Sequence, residues 1–302
     1  MDATDFTPSP PLAEGLARAA DDGRPLYELV VPRRPIVEDL RVVPAGATFV
    51  ATRGTAGALD RLGELDRVVA LWANPATPEL FRACAAAPNL RALYVCHFKR
   101  LADVPLKGAR SLEHLMLGWA PRLVDLSFLA DLPALRTVYL EDMKRVDLAT
   151  LPELPQLTGL YLGGGMWETL AVTSFAPFTR LPNLRHLRLS NVKPLDGSLR
   201  PLAALRSLRE LHLPNFFAIE ETARLSAALP TVDGNSLSPF FATHEGPASE
   251  SSPYFCERCG GTRAMMTGKP AYILCPRCDA AKVQRRVARW EAARASSWPE
   301  QG

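Results

Sequence analysis

"LRTVYL", Leu135 to Leu140, is the stretch on which the fold turns, because five other segments repeat its apolar residues at the first, fourth and sixth positions. They are "LRALYV" from Leu90, "LEHLML" from Leu112, "LTGLYL" from Leu157, "LRHLRL" from Leu184 and "LRELHL" from Leu208. Successive offsets are 22, 23, 22, 27 and 24 residues. A weaker copy, "VVALWA" from Val68, precedes Leu90 by the same 22, and "LPTVDG" from Leu229 reads as a terminal half-repeat. Alternation within each copy predicts a short strand with its leucines turned to one side. Between the strands, apolar residues recur every third position: Leu126, Leu129, Leu132; Leu148, Leu151, Leu154; Leu199, Leu202, Leu205. That period matches 3₁₀ turns better than an α-helix. "TPELFRACAAA", from Thr77, reads instead as a true helix, and Pro133, Pro155 and Pro182 stop the turns before the next strand.

Six copies at this spacing resemble the leucine-rich repeat family over about residues 62–235. The resemblance implies an α/β solenoid, with a parallel β-sheet on the concave face and 3₁₀ or short helices on the convex face. It also implies a non-enzymatic role in binding other molecules. One departure stands out. The family's usual Asn, eight positions after the first Leu, is here Phe98, Ala120, Met143, Gly165 and Val192. A packed apolar column is therefore expected in place of an asparagine ladder.

If the leucines face the core, the third and fifth positions of each copy line the concave wall. The fifth reads Tyr94, Met116, Tyr139, Tyr161, Arg188 and His212; the third reads Ala92, His114, Thr137, Gly159, His186 and Glu210. An exposed row of Tyr and Met would serve as anchors for a protein partner. Stacked tyrosines also pack against one another without any partner. The longest interval contains "GGGMWETLAV", Gly163 to Val172, which reads as a loop that brings Trp167 beside the tyrosines or as a tolerated insertion. It lacks the Lys-Ser/Thr of a phosphate-binding loop. No HExxH or GxSxG pattern occurs, so the histidines read as recognition groups and no enzyme is expected.

The second informative stretch is "CERCGGTRAMMTGKPAYILCPRC", Cys256 to Cys278. Its C-x2-C-x15-C-x2-C spacing predicts a four-thiolate metal site made by Cys256, Cys259, Cys275 and Cys278. Four sulfurs leave no open coordination position, so structural Zn²⁺ is the expected cofactor. The segment resembles a zinc ribbon, a resemblance that implies metal binding without choosing between protein and nucleic-acid partners. Gly260 and Gly261 leave the first knuckle, and Gly268 to Pro270 turn a hairpin. Beyond it, "AKVQRRVARWEAARASSW" places Val283, Val287 and Trp290 on one helical face and Lys282, Arg285, Arg286 and Arg289 on another. The basic stripe is a candidate nucleic-acid contact.

The resulting organisation is a capping region at 1–61, the solenoid at 62–235, a Ser- and Pro-rich linker at 236–253 whose start Phe240 and Phe241 could anchor, the metal module at 254–280 and a basic amphipathic helix and tail at 281–302. Over 302 residues the formal charge is only +3. From Tyr254 onward nine Lys/Arg face four Asp/Glu, leaving 26 against 28 before it. The tail is thus a basic appendage. "MDATDFTPSP" carries acids and prolines where a secretory signal needs a basic and then an apolar segment. With no apolar run near ~18 residues, a cytoplasmic location without membrane association is expected, as suits cysteines spaced for metal and not for disulfides.

Overall fold

The computed structural model describes residues 6–7, 35–97, 103–166, 168–242, 248–249 and 251–298. Among these, nine strands form one parallel sheet: β1 (Val37–Asp39), β2 (Phe49–Gly57), β3 (Ala70–Ala73), β4 (Ala92–Val95), β5 (His114–Gly118), β6 (Thr137–Met143), β7 (Gly159–Gly164), β9 (His186–Ser190) and β11 (Glu210–His212). They follow one another in chain order, and each predicted copy pairs with the next without slippage: Leu93 opposite Leu115, Val138 opposite Leu160, Leu187 opposite Leu211. This is the architecture of a leucine-rich-repeat-like solenoid. The leucines of every copy are buried in one continuous core that runs the length of the array.

The convex side follows the periods read from the sequence. Ser127–Asp131, Leu148–Thr150, Ala176–Arg180 and Arg200–Ala204 are 3₁₀ segments, and the leucines spaced by three all point inward. Helix α1 (Pro78–Ala86) is the α-helix anticipated in the first interval. Thr77 caps it by accepting from Leu80 N, and Pro78 occupies the first turn, where its missing donor costs nothing. At the asparagine position, Ala120, Met143 and Val192 are buried in the core, so an apolar column replaces the ladder there; Phe98 lies outside the described residues.

Just before this column the chain bends sharply in four of the repeats. His97, Trp119, Asp142 and Asn191 all adopt positive φ, between 53° and 57°. Asn and Asp tolerate that region; His and Trp occupy it only where the surroundings hold them. His97 is held by its Nδ1 at 2.8 Å from Asn74 Oδ1 and by stacking on Trp119 at 4.3 Å.

The long interval is not a phosphate cradle. Its distal part forms β8 (Leu170–Val172), which pairs in parallel with β10 (Val192–Pro194) in a small second sheet. The glycines serve close packing: a Cβ on Gly163 would stand 2.9 Å from the Tyr161 ring, and one on Gly164 would stand 2.8 Å from the Asn191 carbonyl oxygen. Trp167 lies outside the described residues.

At the N-terminal end, β1 and β2 extend the sheet ahead of the first repeat, and buried Phe6 accepts from Thr48 N through its carbonyl. At the other end, helix α2 (Ile219–Ala228) covers the last repeat, and Asp233 forms a single bridge to Glu210, the half-repeat seen in "LPTVDG". The segment read as a linker begins with a short strand at the two residues offered as its anchor. Phe240–Phe241 is strand β12, paired antiparallel with β15 (Ala264–Met266), which also pairs with β16 (Ile273–Leu274). Two adjacent aromatics supply an edge strand where composition alone suggests freedom.

Candidate metal centre and concave wall

Strands β13 (Phe255–Cys256) and β14 (Gly261–Thr262) flank the first CxxC turn, in which Cys259 N and Gly260 N both donate to the Cys256 carbonyl. Gly260 takes φ +66°, the left-handed conformation that lets the chain leave the knuckle. In the second turn Cys278 N points at Cys275 Sγ at 3.4 Å. The four thiols of Cys256, Cys259, Cys275 and Cys278 lie within 4.8 Å of one another. Across the two knuckles, Cys256 and Cys278 sulfurs are 3.8 Å apart and those of Cys259 and Cys275 3.6 Å. Both are far longer than a disulfide bond. They match the ~3.8 Å edge of a tetrahedron with ~2.3 Å zinc–sulfur bonds. The donor set and its spacing therefore fit a metal ion.

Around the sulfurs the two knuckles are tied together. Arg258 of the first donates to Asp279, which follows the second, at 2.8 Å, while Asp279 Oδ2 accepts from Cys275 N. The Arg258 hydrogen bond, then that of the Cys275 amide, holds the Asp279 carboxyl below its usual range. Asp279 also stands immediately before helix α3 (Ala280–Arg294). The metal turn thus fixes where the helix starts.

That helix docks on α2. Trp290 and Ala293 bury against Ile219 and Ala223, and Arg289 pairs with Glu220 at 2.6 Å. Nearby, Trp298 Nε1 donates to Glu221. The hairpin packs as closely. Gly268 has φ +80°, and a Cβ there would stand 2.7 Å from Ile219 Cα. Its N–H donates to Asn215 Oδ1, whose amide donates in turn to the Met266 carbonyl. So the Gly268 turn anticipated from the sequence is also the contact plane between module and solenoid.

The basic stripe divides. Arg286, read as an exposed cation, is only 9% exposed. Its Nη2 donates to the carbonyls of Thr267, Gly268 and Pro270, so it closes the hairpin turn from inside. Burial holds its guanidinium pKa below the usual value. This corrects its assignment to the nucleic-acid contact set. Lys282, Arg285 and Arg289 remain on the surface and line, with Tyr272 and Leu274, a cleft of about 480 Å³ whose floor is Arg286.

A larger correction concerns the concave wall. Tyr94, Met116, Tyr139 and Tyr161 are 3%, 2%, 5% and 6% exposed, so the row expected to be an open anchor surface is closed. With Phe49, Ala51, Ala70, Trp72 and Ala92 they form a second hydrophobic core on the opposite side of the sheet from the first. Parallel pairing places Trp72, Tyr94, Met116, Tyr139 and Tyr161 side by side, and Tyr139 and Tyr161 stack at 4.0 Å. Trp72 Nε1 and Tyr94 OH are buried there without hydrogen-bond partners among the described residues, and burial pushes the Tyr94 phenol pKa up. Trp72 was within reach of the sequence, since it holds the fifth position of the weak copy from Val68.

The histidines of the third position are buried as well. His114 Nδ1 lies 2.8 Å from Thr137 Oγ1, and His186 Nδ1 lies 3.1 Å from Glu210 Oε2. Toward the C-terminal end the wall opens. Arg188 sits over the Tyr161 ring at 5.9 Å, and His212 Nε2 lies 2.7 Å from Glu210 Oε1. A cleft of about 600 Å³ is lined there by His186, Arg209, Glu210, His212 and Asp233, with Phe241 of the module on its margin. Phe241 could not be placed in this cleft from sequence, because only the β12–β15 pairing brings it back to the wall.

Comparison with protein families and with curated proteins finds no match. Among solved structures, an internalin C2 from Listeria monocytogenes is 22% identical over 56% of this chain and 67% of its own, with a TM-score of 0.40. A TLR13–ssRNA13 complex is 21% identical over 58% of this chain, with a TM-score of 0.42, and the match spans only 26% of TLR13. An internalin, inlF, from the same bacterium is 16% identical over 77% of this chain and 89% of its own, with a TM-score of 0.29. The solenoid assignment rests on the chain's own repeat and register.

Proposed function

We propose that this chain is a non-enzymatic recognition protein that binds a protein partner at the C-terminal end of its concave wall. The observation that carries this reading is the cleft of about 600 Å³ where Glu210, His212 and Asp233 of the solenoid meet Phe241 of the metal module. Basic, acidic and aromatic groups converge there, the mixture found where interface rims surround an anchor. The closed tyrosine ladder serves as support. Of the residues first considered for the partner, His212 lines this cleft and Arg188 stands beside it, opposite His212 on the adjacent strand, so both stay in this role.

In this reading the four thiolates hold Zn²⁺. The ion supplies folding free energy to a module whose own core is little more than Ala264, Met266 and Val283, and so fixes Phe241 and α3 against the solenoid. A closed thiolate shell with no open position supports a structural role for the ion, and buried His114 and His186, each hydrogen-bonded within the wall, support a non-catalytic one for the solenoid. Thiols kept for metal favour a reducing, cytoplasmic setting.

The test is quantitative capture from nuclease-treated native extract with the zinc-loaded protein and its Arg188→Ala/His212→Ala variant. A partner retained by wild type and lost, at least tenfold, by a variant of unchanged thermal stability is expected. Equal recovery of every captured protein by the two would dismiss the cleft as the binding site.

A further inference from the structure

The metal module carries a second cleft, separate from the concave wall, and its chemistry is that of a polyanion site with an aromatic platform. Lys282, Arg285 and Arg289 occupy successive turns of α3 and face Tyr272 and Leu274 across about 480 Å³. Four cationic groups line this cleft, and the ion pair of Arg289 with Glu220 is the one they make among the described residues. Lys282 and Arg285 form no ion pair there.

Arg286 makes the platform rigid. Its guanidinium is pinned by three backbone carbonyls and lies 5.8 Å from the centre of the Tyr272 ring. Its Nε is buried without an acceptor among the described residues. Tyr272 is nevertheless 49% exposed, so a ring fixed from beneath by a buried cation still presents surface to solvent. Ile273 beside it is exposed too. An exposed aromatic ring beside two exposed cations, Lys282 and Arg285, that make no ion pair among the described residues is a poor arrangement for stability alone, but it is how single-stranded nucleic acid is held: bases stack on the ring and phosphates track the cations. The volume suits one or two nucleotides, within the ~300–1,000 Å³ of ordinary ligand clefts.

We infer that the Tyr272–Lys282–Arg285–Arg289 cleft binds single-stranded nucleic acid, with a base on Tyr272 and backbone phosphates on Lys282 and Arg285. The inference is independent of the protein-binding cleft. Together the two sites would join a protein partner to a nucleic-acid strand.

The experiment uses the full-length, zinc-loaded protein and a fluorescein-labelled dT12 strand, read by anisotropy at several salt concentrations. The matching duplex, an abasic strand, inorganic polyphosphate, thymidine monophosphate and an Arg-directed phosphopeptide serve as competitors. The single strand is expected to win over all of them. Tyr272→Ala should weaken it about tenfold and Tyr272→Phe little, because stacking needs the ring and not the hydroxyl. Lys282→Ala/Arg285→Ala should lower the salt slope by about 1.4, two phosphates at ~0.7 each. Unchanged Trp290 emission would show that the variants keep the module docked. No binding at low salt, equal competition by polyphosphate or the abasic strand with indifference to Tyr272→Ala, or preference for the monophosphate or phosphopeptide would each overturn the inference.

Discussion

Tyr139 and Tyr161 lie face to face on adjacent strands, ring centroids 4.0 Å apart and planes 4° from parallel. This stack closes the C-terminal end of a buried ladder and is not an exposed pair of anchors, which changes what its removal should do. Truncating a buried aromatic to Ala leaves a cavity and costs about 3–5 kcal/mol. Tyr139→Ala should therefore shift the chemical denaturation midpoint markedly, and Tyr139→Phe much less. A Tyr139→Ala protein as stable as wild type would mean that the ladder is open after all.

The acid limb of stability should report on His114. Burial pushes its pKa down from 6.5 to about 4, against the opposing pull of Glu113 and helped by Arg91 and Arg136. The unfolded chain takes up this proton near pH 6.5 and the folded one only near 4, so the contribution is present above that window and lost as pH falls through it. The loss is of order 3 kcal/mol. A His114→Gln variant, compared with wild type by denaturant titration between pH 7 and 4, should show a flatter profile. Parallel profiles would contradict a buried neutral imidazole.

Removing the metal should undock the module before it unfolds the solenoid. Trp290 is buried against Ile219 and Ala223, and α3 starts at the second knuckle. Chelation, or Cys275→Ser, should red-shift the emission assigned to Trp290 by difference from Trp290→Phe, with most far-ultraviolet circular dichroism retained. Unchanged Trp290 emission in protein proven metal-free would sever the link between ion and docking.

Gly268→Ala tests the contact plane itself. The new Cβ would stand 2.7 Å from Ile219 Cα at a φ of +80°, whereas at Gly197, φ +67°, it would meet nothing within 4 Å. Strain is common to the two sites and the clash is peculiar to one. Gly268→Ala should lower the melting temperature clearly more than Gly197→Ala, and equal effects would show that the module can retreat at no cost.

Thiol labelling separates the two cysteine classes. Cys84 and Cys96 are buried, and burial pushes their thiols up to about 12 and about 11. Neither should react in the folded chain. With chelator, mass spectrometry should find label on Cys256, Cys259, Cys275 and Cys278 alone.

The repeat was legible because each leucine obeys two simple periods, two along the strand and three across the turns, and because parallel stacking leaves little else to decide. The ligand cysteines were legible for the same reason: their spacing is local. What escaped was set by distant parts of the chain. The fifth-position residues Tyr94 and Tyr161 were placed on the correct face, but nothing in "LRALYV" tells whether that face is wet or dry. Helical periodicity put Arg286 on the basic stripe, yet it could not foresee that the hairpin carbonyls of Thr267, Gly268 and Pro270 would close over it. Phe240 and Phe241 read as an anchor for the start of the linker, but their strand pairing with Met266 and Met265 is not encoded within the segment itself.

Helix α2 belongs to two cores at once: Leu225 completes the solenoid, while Ile219 and Ala223 receive the module. Copy number along the array is therefore not equally free everywhere. An interior interval such as Leu112 to Ala134 pairs with the repeats on either side, and in a solenoid of nearest-neighbour contacts such a unit can be duplicated or lost by recombination with both ends intact. A unit appended after Leu208 would have to displace α2, and with it Trp290, Gly268 and the four thiolates. The array can lengthen from the middle, but its last repeat is committed to the module.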